Sequence, residues 1–187
     1  MPNAKKVTTG KPQSIGGAIY FALIDANLTL PTDVDSALTG FTELGYASED
    51  GIKNSNSVDT DTVKAWGGDT VLRTLNGKDD TFTFTLIEAM NEEVLKLVYG
   101  EANVTVDSST GEISVKSNSK EAKAHAFVFD MILKGGAKKR IVIPSATITE
   151  VGEISYTDSD PVAYETTIGC EPDSTGNTHY EYIKPAQ

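Results

Sequence analysis

From residue 81 the chain reads Thr-Phe-Thr-Phe-Thr-Leu, polar and apolar in strict alternation, and then it changes period. Ile87, Met90, Val94, Leu97 and Val98 follow at three- and four-residue spacing. Alternation sends successive side chains to opposite faces of a strand, whereas the later spacing gathers them on one face of a helix. The pattern predicts a strand over 81–86 joined directly to an amphipathic helix over 87–99, with Gly100 placed to cap its C-terminus. The stripe Ile87, Met90, Val94, Leu97 and Val98 is expected to pack on the β core.

Elsewhere strand signals dominate. Residues 18–24 form a compact apolar run, and 41–46 alternate. Three hairpins are predicted. One joins 71–75 to 81–86 through Asn76-Gly77, a pair that tolerates the backbone of a tight turn. The second joins 102–106 to 112–115 and the third 124–133 to 140–143. Residues 146–154 alternate imperfectly, as around a bulge at Gly152, and 162–170 is the last strong strand. The sum is a mainly β chain, a sandwich or barrel of about eight to ten strands with one flanking α-helix.

Four polar stretches interrupt this pattern. Residues 1–14 lack periodicity and read as an N-terminal arm. Residues 27–38 hold Pro31 and read as a loop. Residues 47–69 are rich in Ser, Asn, Asp, Thr and Gly, with isolated Ile52, Val58, Val63 and Trp66. That is long for a loop in a compact domain, and two readings compete: a surface hairpin, or a loop that folds against a partner. Residues 171–187 read as a C-terminal arm with Tyr180, Tyr182 and Ile183 as docking residues. One domain over 15–170 accounts for the rest.

Composition narrows the function. The net charge of −11 disfavours wrapping nucleic acid or adhering to an anionic membrane, both of which need a basic face. Between Ile141 and Gln187 there are eight acidic residues and one basic one, Lys184; such a surface suits a protein past which DNA moves without sticking. The polar N-terminus carries no signal-peptide pattern, so synthesis in a cytoplasm is expected. A single cysteine, Cys170, allows no internal disulfide.

Catalytic chemistry finds little footing. His125 lies in an apolar run and reads as a strand residue, and His179 lies in the polar tail. No nucleophile elbow, P-loop or dinucleotide-binding glycine pattern occurs. Asp59 and Asp61 share one side of an extended segment near Asp69, but without the Glu and Gly of an EF-hand loop they read as solvated carboxylates. Lys138-Lys139-Arg140 reads as a charged hairpin tip, solvated or paired with an acidic neighbour. No catalytic residue, metal site or cofactor is expected.

The order of elements is informative. A strand ending Glu43-Leu44-Gly45-Tyr46-Ala47 leads into a polar stretch beginning Ser48-Glu49-Asp50-Gly51-Ile52. Trp66-Gly67-Gly68-Asp69, Val71-Leu72-Arg73-Thr74, the Thr81–Glu88 phrase and a helix ending Val98-Tyr99-Gly100 follow. This succession resembles the major tail protein, or tail tube protein, of long-tailed non-contractile bacteriophages, most clearly over 41–100. The resemblance implies a fold shared with the type VI secretion inner tube. It implies hexameric rings stacked into a hollow tube around a tape-measure protein, meeting terminator and baseplate proteins, within the virion tail. DNA would pass through the lumen without sequence-specific binding, and no membrane is involved. The polar stretch and arms would make ring-to-ring contacts, with Ser48, Glu49, Asp50, Ile52, Val58, Val63 and Trp66 as the nominated residues. A carbohydrate- or protein-binding β-sandwich module is the competing class, and an inner-tube protein of type VI secretion is a further alternative.

Overall fold

The computed structural model describes residue 2, residues 6–14 and residues 17–186. Strand accounts for 48% of the described residues and helix, 3-10 turns included, for 7%, so the mainly β, one-α-helix expectation holds. In chain order the elements are β1 (Gly10–Pro12), β2 (Ile19–Leu23), β3 (Thr42–Glu43), β4 (Ala47–Lys64), β5 (Thr70–Leu86), α1 (Glu92–Tyr99), β6 (Val104–Val106), β7 (Ile113–Val115), β8 (His125–Leu133), β9 (Lys138–Val151), β10 (Tyr164–Cys170) and β11 (Tyr180–Lys184).

Nine strands form one antiparallel sheet in the order β3-β2-β8-β9-β10-β5-β4. β1 continues the edge of β2 along β8, and β11 continues the edge of β10 along β9. β6 and β7 make a separate small hairpin. The sheet is curled. β5 and β8 lie three strand spacings apart, about 14 Å if the sheet were flat. Yet the rings of Phe82 and Phe129 are 5.4 Å apart, and those of Phe84 and Phe129 are 5.8 Å apart. The alternating residues Ile19, Phe21, Phe82, Phe84, Leu86, Phe127, Phe129, Ile141, Ile143 and Ile168 therefore point into one interior.

β8 and β9 are buried on both faces. Val128 and Val142 point away from that interior and are still buried. The segment before β3 covers them there, with Pro31 and Val34 buried. Arg140 holds this cover down. Its Nε and Nη2 donate to the two carboxylate oxygens of Asp130 at 2.6 and 2.7 Å, and its Nη1 donates to the carbonyls of Asp33 and Ser36 at 3.0 and 2.7 Å. The Lys138-Lys139-Arg140 group thus lies inside a strand, each cation paired: Lys138 with Asp35 at 2.7 Å and Lys139 with Glu181 at 2.8 Å.

The expected strands 140–143 and 146–154 are one strand with a bulge between them. His125 faces Ala146 and Phe127 faces Ile143, so Pro144 and Ser145 stand opposite Ala126 alone. Proline has no N–H for the ladder, which places the break there. A second bulge falls at Thr149 instead of Gly152.

The helix is shorter than its apolar spacing predicts. Ile87 still bonds to the body, its N–H on the Tyr46 carbonyl at 3.1 Å, and residues 88–91 form a turn closed by Asn91 N–H on the Glu88 carbonyl at 3.1 Å. Asn91 then caps the helix by accepting from Glu93 N–H at 3.0 Å, which fixes the start at Glu92. Val94 and Leu97 are buried and Val98 packs at the edge of the core, joined by Leu95. Ile87 is half-buried between β5 and the turn, and Met90 within the turn is 85% exposed, so neither belongs to the helix stripe. Gly100 ends the helix at φ 91°, as its position implies, and its N–H reaches the Lys96 carbonyl.

Two of the expected arms carry strand. Residues 1 and 3–5 of the N-terminal one lie outside the described residues, but Gly10–Pro12 pairs with β8. The C-terminal one contains β11, whose Tyr180 to Lys184 pair with Val142 to Lys138.

Candidate assembly surface

Residues 47–69 are not a loop. Asp80, Thr81 and Phe82 continue outward from the sheet as β5, and β4 runs back along them, so 47–86 is a single long hairpin. β10 accompanies β5 only from Thr81 to Leu86. Residues 70–80 extend beyond it, about 35 Å of strand at 3.3 Å per residue. The chain reverses at Ala65-Trp66-Gly67-Gly68-Asp69, with Ala65 N–H on the Asp69 carbonyl at 2.8 Å. Gly67 and Gly68 have φ of 124° and 99°, backbone that other residues rarely adopt. Asn76-Gly77, expected as the turn, lies within β5 as a bulge: Asp59 faces Gly77 and Thr60 faces Leu75.

The distal hairpin has no core beneath it. Every residue from Thr70 to Asp79 is exposed. Val58, Val63, Val71, Leu72 and Leu75 are each more than half exposed, and Trp66 at the tip is fully so. The nominated contact residues divide into two groups. Ser48, Glu49 and Asp50 lie at the root, where the pairing of β4 skips from Ala47 to Ile52, and Ile52 packs against the core opposite Phe84. Val58, Val63 and Trp66 lie on the projecting part.

The root is held to the body by polar contacts. Glu88 accepts from Tyr46 N–H at 2.8 Å and from Asn91 Nδ2 at 2.8 Å, tying the entry of β4 to the start of α1. Gly45 makes room for this, because a Cβ there would meet the Glu88 carboxyl at 2.3 Å. On the other side, the buried carboxylate of Asp80 accepts from Asn54 Nδ2 at 2.8 Å and from Thr178 Oγ1 and His179 Nδ1 at 2.5 Å each. Nothing in the sequence marks Asp80 as special, since its partners from the C-terminal segment lie 98 and 99 residues away.

The groups with catalytic potential are engaged structurally. His125 packs 5.4 Å from the ring of Phe21 and 6.3 Å from that of Phe127, and burial lowers its pKa and favours the neutral ring. It borders a hollow of about 260 Å³ between α1 and the segment before β8. Burial, helped by the charge of Asp80, pushes the Cys170 thiol up to about 12, far from a nucleophile's range. Asp59 and Asp61 stand exposed on β4, and among the described residues no three His, Cys, Asp or Glu side chains gather in a metal-binding group.

No individual curated protein matches the chain. A family described as phage tail tube protein matches residues 14–186, nearly the whole length. A curled sheet with one α-helix and a long exposed hairpin suits a subunit of an assembly, and the match agrees: the chain belongs to the phage tail tube protein family, a structural component that self-assembles into the tube of the virion tail.

Proposed function

We propose that this protein is the tube subunit of a long-tailed, non-contractile phage, made in the host cytoplasm and acting without catalysis. Six copies close into a ring, rings stack around the tape-measure protein between terminator and baseplate, and DNA later passes down the lumen. The β4–β5 hairpin and the residues before Ser14 carry the contacts between rings. The observation behind this reading is the hairpin. A two-stranded ribbon is at best marginally stable in water, and a row of exposed valines and leucines with a fully exposed tryptophan favours a partner. β4 also forms one edge of the sheet, an unpaired template that a neighbouring subunit can complete. The net charge of −11 is consistent with a wall along which DNA does not stick.

Replacing Val58–Lys78 by Asn-Gly, joined between the facing residues Ser57 and Asp79, tests the assignment. The shortened protein is expected to fold and stay soluble but to form no tubes in negative-stain electron microscopy. Normal tubes from it would remove the hairpin from the assembly contacts.

A further inference from the structure

Asp80 occupies a singular position. Thr81 is the last residue of β5 that β10 accompanies, facing Gly169, so Asp80 is the first to leave the body. Its side chain is wholly buried, an expensive place for a carboxylate unless every oxygen is supplied with donors. Desolvation opposes its charge, but Thr178, Asn54 and His179 outweigh this and hold it below the usual carboxylate range. Because a carboxylate can only accept, His179 must carry its proton on Nδ1. The His179 ring also stands edge-on to Phe82, 5.3 Å away at 89°.

The two residues that reach Asp80 from the C-terminal side are firmly placed themselves. Glu171 accepts from Ser145 and Thr147 hydroxyls at 2.7 Å each. Asp173 gathers the N–H groups of Thr175 and Asn177 and the hydroxyl of Tyr180. β11 begins at Tyr180, the residue after His179, and zips onto β9. Beyond this point, among the described residues, no side-chain hydrogen bond joins residues 56–79 to anything but β4 and β5. Asp80 is therefore the outermost tie between the hairpin and the body.

We infer that Asp80 is a positioning residue for assembly: with Thr178 and His179 it clamps the hairpin root to the C-terminal segment, so that the hairpin's direction depends on β11 being docked. The inference rests on the hairpin being an intersubunit contact. The lever is long. A swing of about 10° at the root moves the tip of a 35 Å arm by about 6 Å, more than one strand spacing.

Trp66 is the only tryptophan and sits at the hairpin tip, so its fluorescence anisotropy decay reports hairpin motion in the full-length protein. Asp80→Asn places an amide against donors, and His179→Phe keeps the ring packing on Phe82 but removes the donor. Each is expected to at least double the amplitude of fast depolarisation at Trp66. Each should also raise the concentration needed for polymerisation tenfold or more. Val128→Ala, which empties a buried site in the body and removes none of the Asp80 contacts, should leave Trp66 motion unchanged. Thr178→Val removes one donor at a half-exposed site and gives the same shifts, smaller, should the stronger variants fail to fold. Wild-type anisotropy in the Asp80 and His179 variants, or in Thr178→Val alone if those do not fold, overturns the clamp. Raised Trp66 motion with unchanged polymerisation leaves the clamp in place but refutes the hairpin contact, and with it the positioning role.

Discussion

β8 and the outer half of β5 are both long, well-formed strands, yet they are held by different forces. From His125 to Asp130 every residue of β8 is buried, with a ladder on each side and side chains packed on each face. From Thr70 to Asp79 every residue of β5 is exposed, and its one ladder is to β4. Backbone pairing alone contributes little net stability, because the same groups bond well to water. Strand geometry in the second region thus describes a shape held ready, and in the first a shape enforced by packing.

The contrast can be broken by truncation. Phe129→Ala should destabilise the monomer by about 3–5 kcal/mol, since it empties a fully buried site between the rings of Phe82, Phe84 and Phe127. Leu72→Ala, on the hairpin, should change monomer stability by no more than about 0.5 kcal/mol while still weakening polymerisation. Chemical denaturation of the monomer beside a pelleting assay reads both. Equal losses of stability would mean that the hairpin is packed in the monomer after all.

Arg140→Ala sharpens the comparison from the polar side. Asp130 is 5% exposed and would be left as a buried carboxylate without its cation, a loss of up to about 3–5 kcal/mol. The cover over Val128 and Val142 would lose its two carbonyl ties as well, so protease sensitivity should rise first in residues 31–38. The hairpin should be indifferent to this change.

What the sequence reveals follows the same division. β2, β8 and β10 are legible because burial imposes a pattern on their residues, and Gly100 is legible because a helix end needs its φ. The β4–β5 hairpin is legible only as the surface-hairpin reading of 47–69, and its extent and its pairing with 70–86 are not, because a strand without a core beneath it carries no apolar alternation. Asn76-Gly77 misleads because local turn preference yields to fourteen paired positions along the ladder. Ile87 and Met90 mislead because a turn can imitate helical spacing, and the decisive signal there is Asn91 with Glu93 after it. β11 hides behind a polar composition, since the side-chain ties around it are polar: Glu181 to Lys139, Lys184 to Asp35, and the Asp80 cluster just before it. The family resemblance rests on the order of elements, and the match over 14–186 extends it to nearly the whole chain.

The central claim is that the projecting hairpin is completed by another subunit. Hydrogen exchange followed by mass spectrometry, on monomer and on assembled protein, tests it most directly. The account predicts fast exchange over 58–78 in the monomer beside slow exchange in β8 and β9, and strong protection of 58–78 once tubes have formed. Hairpin amides that stay as open in the assembled protein as in the monomer would contradict it.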